Sequence, residues 1–128
     1  MAVLYSSTVR NNRMQQVLDA IDANASPAYL EICSAAYAAV LATITLADPS
    51  FTRSNDVLTM AGVPKSDTSA DNTGTAAIAR IKDGGGTVII QGLTVGTGSE
   101  NIVLNSTSIT SGQQVSITSA TITHATGI

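Results

Sequence analysis

Thr75-Ala-Ala-Ile-Ala-Arg-Ile-Lys82, Asp83-Gly84-Gly85-Gly86, Thr87-Val-Ile-Ile-Gln-Gly-Leu-Thr-Val95, Asn101-Ile-Val-Leu-Asn-Ser-Thr-Ser-Ile109 and Val115-Ser-Ile-Thr-Ser-Ala-Thr-Ile-Thr-His124 fill most of the last third of the chain. Short β-branched runs alternate with Ser and Thr and are broken by Gly, Asn and Ser-Gly, the pattern of strands joined by tight turns. Thr75–Lys82 and Thr87–Val95 predict a hairpin around Asp83–Gly86, where glycine supplies turn conformations closed to other residues. Gly96–Glu100 and Ser111–Gln113 predict two further turns. Val115 and Ile117 share one strand face, but Ile122 has the opposite parity, so a bulge or sheet crossing is expected around Thr118–Ala120. After Gly86 only Glu100 and His124 are ionisable, so the segment is built to make surface rather than to carry a reaction.

Upstream, Val40, Ala42, Ile44 and Leu46 alternate with Leu41, Thr43 and Thr45, as a strand with one apolar and one mixed face would. Asp48-Pro49-Ser50 reads as a turn, and Val57–Ala61 as a short strand ended by Gly62 and Pro64. Between Val63 and Thr75 the chain reads as a polar loop without apolar period, of the kind that is functional or mobile. Near the start, Met14, Val17, Leu18 and Ile21 recur at the spacing of one helical face, with N-cap candidates at Ser6, Ser7 and Thr8 and stop signals at Asn24 and Pro27. The expected architecture is mainly β: an antiparallel β-sandwich of about seven to eight short strands (residues 28–128), preceded by an arm and one α-helix (residues 1–27).

Composition excludes several function classes. The chain has 128 residues, 12% charged and 44% hydrophobic, with a net charge of −3. It lacks the basic stripe that a nucleic-acid binder needs, and it is too apolar and too weakly charged for disorder. Ile32–Ala47 carries no charge but is shorter than a bilayer span and reads as buried strands, so no membrane partner is expected. Met1–Arg13 lacks the basic region and following apolar stretch of a secretory signal. Aromatic residues make up 3% and Trp is absent, leaving a core of Val, Ile, Leu and Ala.

No constellation for chemistry emerges, so no catalytic residue, cofactor or metal is expected. The single cysteine, Cys33, sits in a strand pattern and reads as a small buried hydrophobe. His124 is the sole imidazole and reads as an exposed or edge residue. Glu31 and Glu100 are the only Glu, and neither has a nearby carboxylate in sequence. Asp56, Asp67, Asp71 and Asp83 read as turn formers, and Asp67, Asp71 and Asn72 match no defined calcium loop. Gly84–Gly86 is followed by a strand pattern instead of a helix and a Lys, so it is not a phosphate loop. With few charges to blunt strand edges, pairing with further copies, such as a homotrimer, is the expected protection.

Arg10-Asn-Asn-Arg-Met-Gln-Gln-Val-Leu-Asp-Ala-Ile-Asp-Ala23, then Tyr29-Leu-Glu-Ile32, and the C-terminal run from Val95 to His124 resemble small virion proteins of tailed bacteriophages and prophages, among them capsid decoration (cement) proteins. The likeness rests on general pattern over both ends of the chain. It implies a protein made in the host cytoplasm and located on the virion capsid surface, bound to the major capsid protein in many copies. It transfers no catalytic residue and no position-specific binding motif. Apolar and cationic groups concentrate at Val3, Leu4, Tyr5, Arg10 and Arg13, which are therefore the candidate capsid-contact residues; the competing reading of Val3–Tyr5 is an added edge strand. A tail or neck component is the alternative. A small adhesion or carbohydrate-binding module is a further one, poorly equipped for lack of an aromatic platform.

Overall fold

In a computed structural model, which describes residues 3–124, the protein is mainly β with one N-terminal helix. The elements are α1 (Ser7–Ile21), β1 (Tyr29–Cys33), β2 (Val40–Thr45), β3 (Phe51–Ser54), β4 (Val57–Met60), β5 (Lys65–Asp67), β6 (Gly74–Thr75), β7 (Ile78–Lys82), β8 (Val88–Gly96), β9 (Ile102–Leu104), β10 (Ser108–Ile109) and β11 (Val115–Thr123). A main sheet runs in the order β2-β1-β7-β8-β9-β11-β4-β3, with β5 also paired to β11, and β6 and β10 form a separate ribbon.

Every pair is antiparallel except β8 with β9, which run parallel through Val95–Ile102 and Gly96–Val103. Parallel neighbours ordinarily need a long crossover. Here only two residues pair, so a five-residue return suffices. Asn101 fixes it: its Oδ1 accepts from the Thr94 amide at 3.1 Å and the Thr94 hydroxyl at 3.0 Å. The all-antiparallel expectation is corrected at this one junction.

The sheet curls until its β2 edge meets the segment that follows β4. Asp67 accepts a hydrogen bond from the Thr43 amide at 3.0 Å, and the Asp71 amide donates to the Leu41 carbonyl at 2.7 Å. Asn72 donates through its side-chain amide to the Val40 carbonyl at 2.8 Å. Residues 63–75 are therefore not a free loop. They contain β5, β6 and buried Ala70, and their polar side chains fasten the seam. The signal was missed because these partners lie 24 to 32 residues away and follow no period.

The anticipated irregularity in the last strand is present. Against β9, the register of β11 shifts between Ile117 and Ser119. The extra residue lets Ile117 and Ala120, three apart, both be buried. Beyond the shift, Thr121–Thr123 pair with β4, while Val115–Ile117 pair with β5.

One core unites the layers. Leu30, Ile32, Leu41, Ile44, Phe51, Leu58, Ile81, Ile102 and Ile117 are fully buried, and Met14, Leu18 and Ile21 of α1 join the same cluster. The helix thus packs on the chain's own strands, lying against β3, β4 and β8. Its start is capped by Ser6, whose Oγ accepts from the Val9 amide at 3.3 Å. The β3–β4 hairpin turns at Asn55 with φ of 54° and buries Phe51. A four-residue strand with one apolar residue carries no readable alternation.

The β7–β8 hairpin closes as expected. Asp83 Oδ1 accepts from the Gly85 and Thr87 amides, both at 2.9 Å, and Gly86 adopts φ of +91°. Gly84 serves a different purpose: a Cβ there would lie 2.1 Å from the Ser26 carbonyl oxygen, so the hairpin tip can meet the α1–β1 connection only without a side chain.

Parts of the strand edges meet other segments of the chain. The seam occupies β2, and α1 lies on β3 and β4. On β8, where β9 does not reach, the register against β7 slips twice, and the Gly92 amide donates to the Tyr37 hydroxyl at 2.6 Å. Such slips twist an edge away from flat pairing.

Candidate contact surface

The five residues proposed for contact converge at the N-terminal end of α1. The arm, Val3–Tyr5, is in no strand, so the edge-strand reading is corrected. The arm is held at Tyr5. Arg13 places its guanidinium over the Tyr5 ring, 4.6 Å from the centroid, and His124 meets the same ring edge-on at 6.2 Å. Arg10 donates to the Tyr5 carbonyl and, through Nε, to Asp56 Oδ2 at 2.9 Å. Asp56 lies at the β3–β4 turn, and its carbonyl accepts the His124 amide at 3.0 Å. The first turn of the helix, the β3–β4 turn and the end of β11 thus form one bracket around Tyr5. The hydrogen bond from Arg10 holds the Asp56 carboxyl below the usual carboxylate range.

The bracket leaves the apolar side chains before it uncovered. Val3 is 78% exposed, Leu4 51%, Tyr5 41%, and Val9, on the first turn of the helix, 41%. Among the described residues, four of the six exposed large hydrophobic side chains therefore lie within seven residues. A scattered exposed Leu carries no meaning, but apolar groups gathered on a supported arm make it the candidate contact surface. Val9 was not anticipated, because helical periodicity assigns it no role. Asp56 and His124, the anchors of the bracket, were read only as a turn residue and an edge residue.

A second surface is notable for lacking charge. Thr121, Thr59 and Thr52 stand in register across β11, β4 and β3, and all three are exposed. Thr123, Val57 and Ser54 form the next row. Thr–Thr neighbours of this kind stabilise a sheet without ionised groups.

Several other ionisable residues are committed to structure. Glu31, 9% exposed, faces Arg80 across β1–β7, with Nε–Oε1 at 2.7 Å, and Lys82 Nζ approaches the same oxygen at 3.1 Å. Arg80 in turn lies 5.1 Å from the Tyr37 ring centroid. Sequence spacing could not supply this pairing, which depends on strand order. Cys33 is fully buried in β1, and burial raises its thiol pKa, which disfavours a nucleophilic thiolate. Asp67 and Asp71 serve β2 as described, and Glu100 accepts from the Gly98 amide at 3.0 Å. Among the described residues no three His, Cys, Asp or Glu side chains are grouped to hold a metal ion, and no helix is long and apolar enough to cross a membrane.

Glu31 gives the fold an acid-sensitive point. Burial raises its pKa, but hydrogen bonds from Arg80 and Lys82 outweigh that effect and hold it below the ordinary value. A carboxyl depressed in the folded state contributes stability above its unfolded pKa and loses it as pH falls through the folded one. Glu31→Gln is therefore expected to flatten the acid limb of a stability–pH curve, measured by denaturant titration from neutral pH down through the carboxylate range. An unchanged slope would remove Glu31 from the acid response.

Comparison with protein-family models, with curated proteins and with solved structures returns no match.

Proposed function

We propose that this chain is a bacteriophage virion structural protein, a non-enzymatic head decoration (cement) protein that binds the outside of the capsid lattice and stabilises contacts between capsomers. The observation that carries the proposal is the exposed apolar arm bracketed on a rigid β body. Val3, Leu4, Tyr5, Arg10 and Arg13 form its contact element, and the major capsid protein and further copies of the chain are its partners. The resemblance of both chain ends to small virion proteins points the same way. So does an exterior dominated by uncharged Ser and Thr, with the ionisable groups described above spent on internal pairs.

The mechanism is mass action. A protein that binds only the assembled lattice stabilises it, and small contacts repeated over many sites add up. The bracket around Tyr5 lowers the ordering cost of docking, because the arm is already held at its base.

The test is co-sedimentation with expanded shells assembled from a tailed-phage major capsid protein. Wild-type protein is expected to co-sediment, and removal of Ala2–Tyr5 is expected to weaken binding about tenfold or more, the effect of losing a few apolar anchors. Retained binding without the arm would reject the contact assignment. Rings or tubes of the purified protein under electron microscopy would favour the tail or neck reading instead.

A further inference from the structure

The connection between β1 and β2, residues 34–39, leaves β1 at Cys33, lies on β7 and reaches β8. Its neck is fixed: the Ser34 amide donates to the Ala39 carbonyl and the Ala39 amide to Ser34 Oγ, both at 3.0 Å. Beyond the neck, the Arg80 guanidinium lies 5.1 Å from the Tyr37 ring centroid, and the Tyr37 hydroxyl accepts from the Gly92 amide at 2.6 Å.

Three features set this segment apart from the sheet beneath it. None of its six residues is buried, and only Ala39, at the neck, packs on the core. Segments with few buried apolar contacts are the ones that open locally while the rest of a fold stays intact. Ala36 and Tyr37 both adopt φ of 57°, the left-handed region that residues other than glycine occupy at a cost, so opening relieves strain at two successive positions. Against that strain, the hydrogen bond from Gly92 and the stacking on Arg80 both act through a single side chain, Tyr37.

Cys33 lies at the base of the connection. On the face of β1 turned away from the core, Glu31 is covered by Arg80 and Lys82. Cys33 is the next residue on that face and has no exposed surface. Its partner on β7 is Ile78, and the connection folds back over β7 beside it.

We infer that residues 34–39 form a latch, closed by Tyr37 on Gly92 and Arg80, which opens without unfolding of the sheet and uncovers Cys33. Opening also frees the Gly92 amide on the part of β8 that β9 does not reach. The latch stands independently of what the arm binds.

Full-length protein is tested by the rate at which Cys33, the sole thiol, reacts with iodoacetamide, followed by mass spectrometry. Wild type is expected to react faster than global unfolding allows, at a rate that changes little with low denaturant, because latch opening exposes little surface. Tyr37→Phe is expected to raise the rate about fivefold, the effect of one lost hydrogen bond. Ala36→Gly is expected to lower it about threefold, because glycine takes a positive φ without strain and the closed latch gains. Phe51→Leu weakens the core at β3, at the other end of the strand order from β1 and β2, and is expected to leave the rate unchanged. A rate that follows global unfolding in its denaturant slope, or that Phe51→Leu raises as Tyr37→Phe does, would overturn the inference. So would a rate indifferent to both latch substitutions.

Discussion

Phe51→Ala is expected to destabilise the protein by about 3–5 kcal/mol, the range for truncating a fully buried Phe. Phe51 is the sole Phe, has no exposed surface and is the largest fully buried side chain in the core. In a core otherwise made mainly of aliphatic residues, few side chains are large enough to collapse into the space it vacates, which favours the upper end of that range. The position also links the β3 hairpin to the core shared with α1, so the cavity opens between layers. At about 4 °C per kcal/mol for a chain of this size, the midpoint of thermal unfolding falls by roughly 12–20 °C. Thr52→Ala, next in the strand but exposed, is the control and should change stability by less than about 0.5 kcal/mol. If the two variants melt together, Phe51 does not hold the hairpin to the core.

Gly84→Ala is the second large effect, on the order of 3 kcal/mol, because an added methyl group meets backbone that cannot step aside. Its Cβ would stand 2.1 Å from the Ser26 carbonyl oxygen and 2.7 Å from the carbonyl carbon, so either the hairpin tip or the α1–β1 connection must move. Two comparisons separate this cause from the general cost of losing a glycine. At Gly85 the nearest atom to a new Cβ is an Asp83 carboxylate oxygen at 3.4 Å, and alanine there should be nearly neutral. At Gly96 the close atoms belong to the Glu100 carboxylate, the far end of a flexible side chain, so alanine there should cost less than at Gly84. Equal destabilisation by all three in denaturant titrations would rule out the Ser26 contact as the reason for glycine.

The residues that were legible are those whose cause is local. The α1 stripe follows from the repeat of Met14, Leu18 and Ile21, and the hairpin at Asp83–Gly86 from a cap and a positive φ within four residues. The slip between Ile117 and Ile122 could be read because strand parity is fixed by geometry: two inward residues an odd number apart require an extra residue between them. What could not be read depends on which strands become neighbours. Asp67 does support its own turn, accepting from the Ser69 amide at 3.0 Å, but its other oxygen closes the seam on Thr43, and no local pattern specifies that. Glu31 similarly acquires two cations only because β7 lies beside β1. At the contact surface the arm itself was legible as a concentration of apolar and cationic groups. Its bracket was not, since Arg10, Asp56 and His124 are brought together from three separate parts of the chain.

The bent last strand has a consequence for how the molecule comes apart. Residues Val115–Ile117 belong to the curled part of the sheet through β5 and β9, and residues Thr121–Thr123 belong to the β3–β4 hairpin. One nine-residue strand is therefore common property of both halves. Neither half can release it without breaking the other, which couples them into a single cooperative unit. The chain also cannot complete either half until its C-terminal segment has arrived, so a nascent chain ending before Val115 lacks the strand that both halves share.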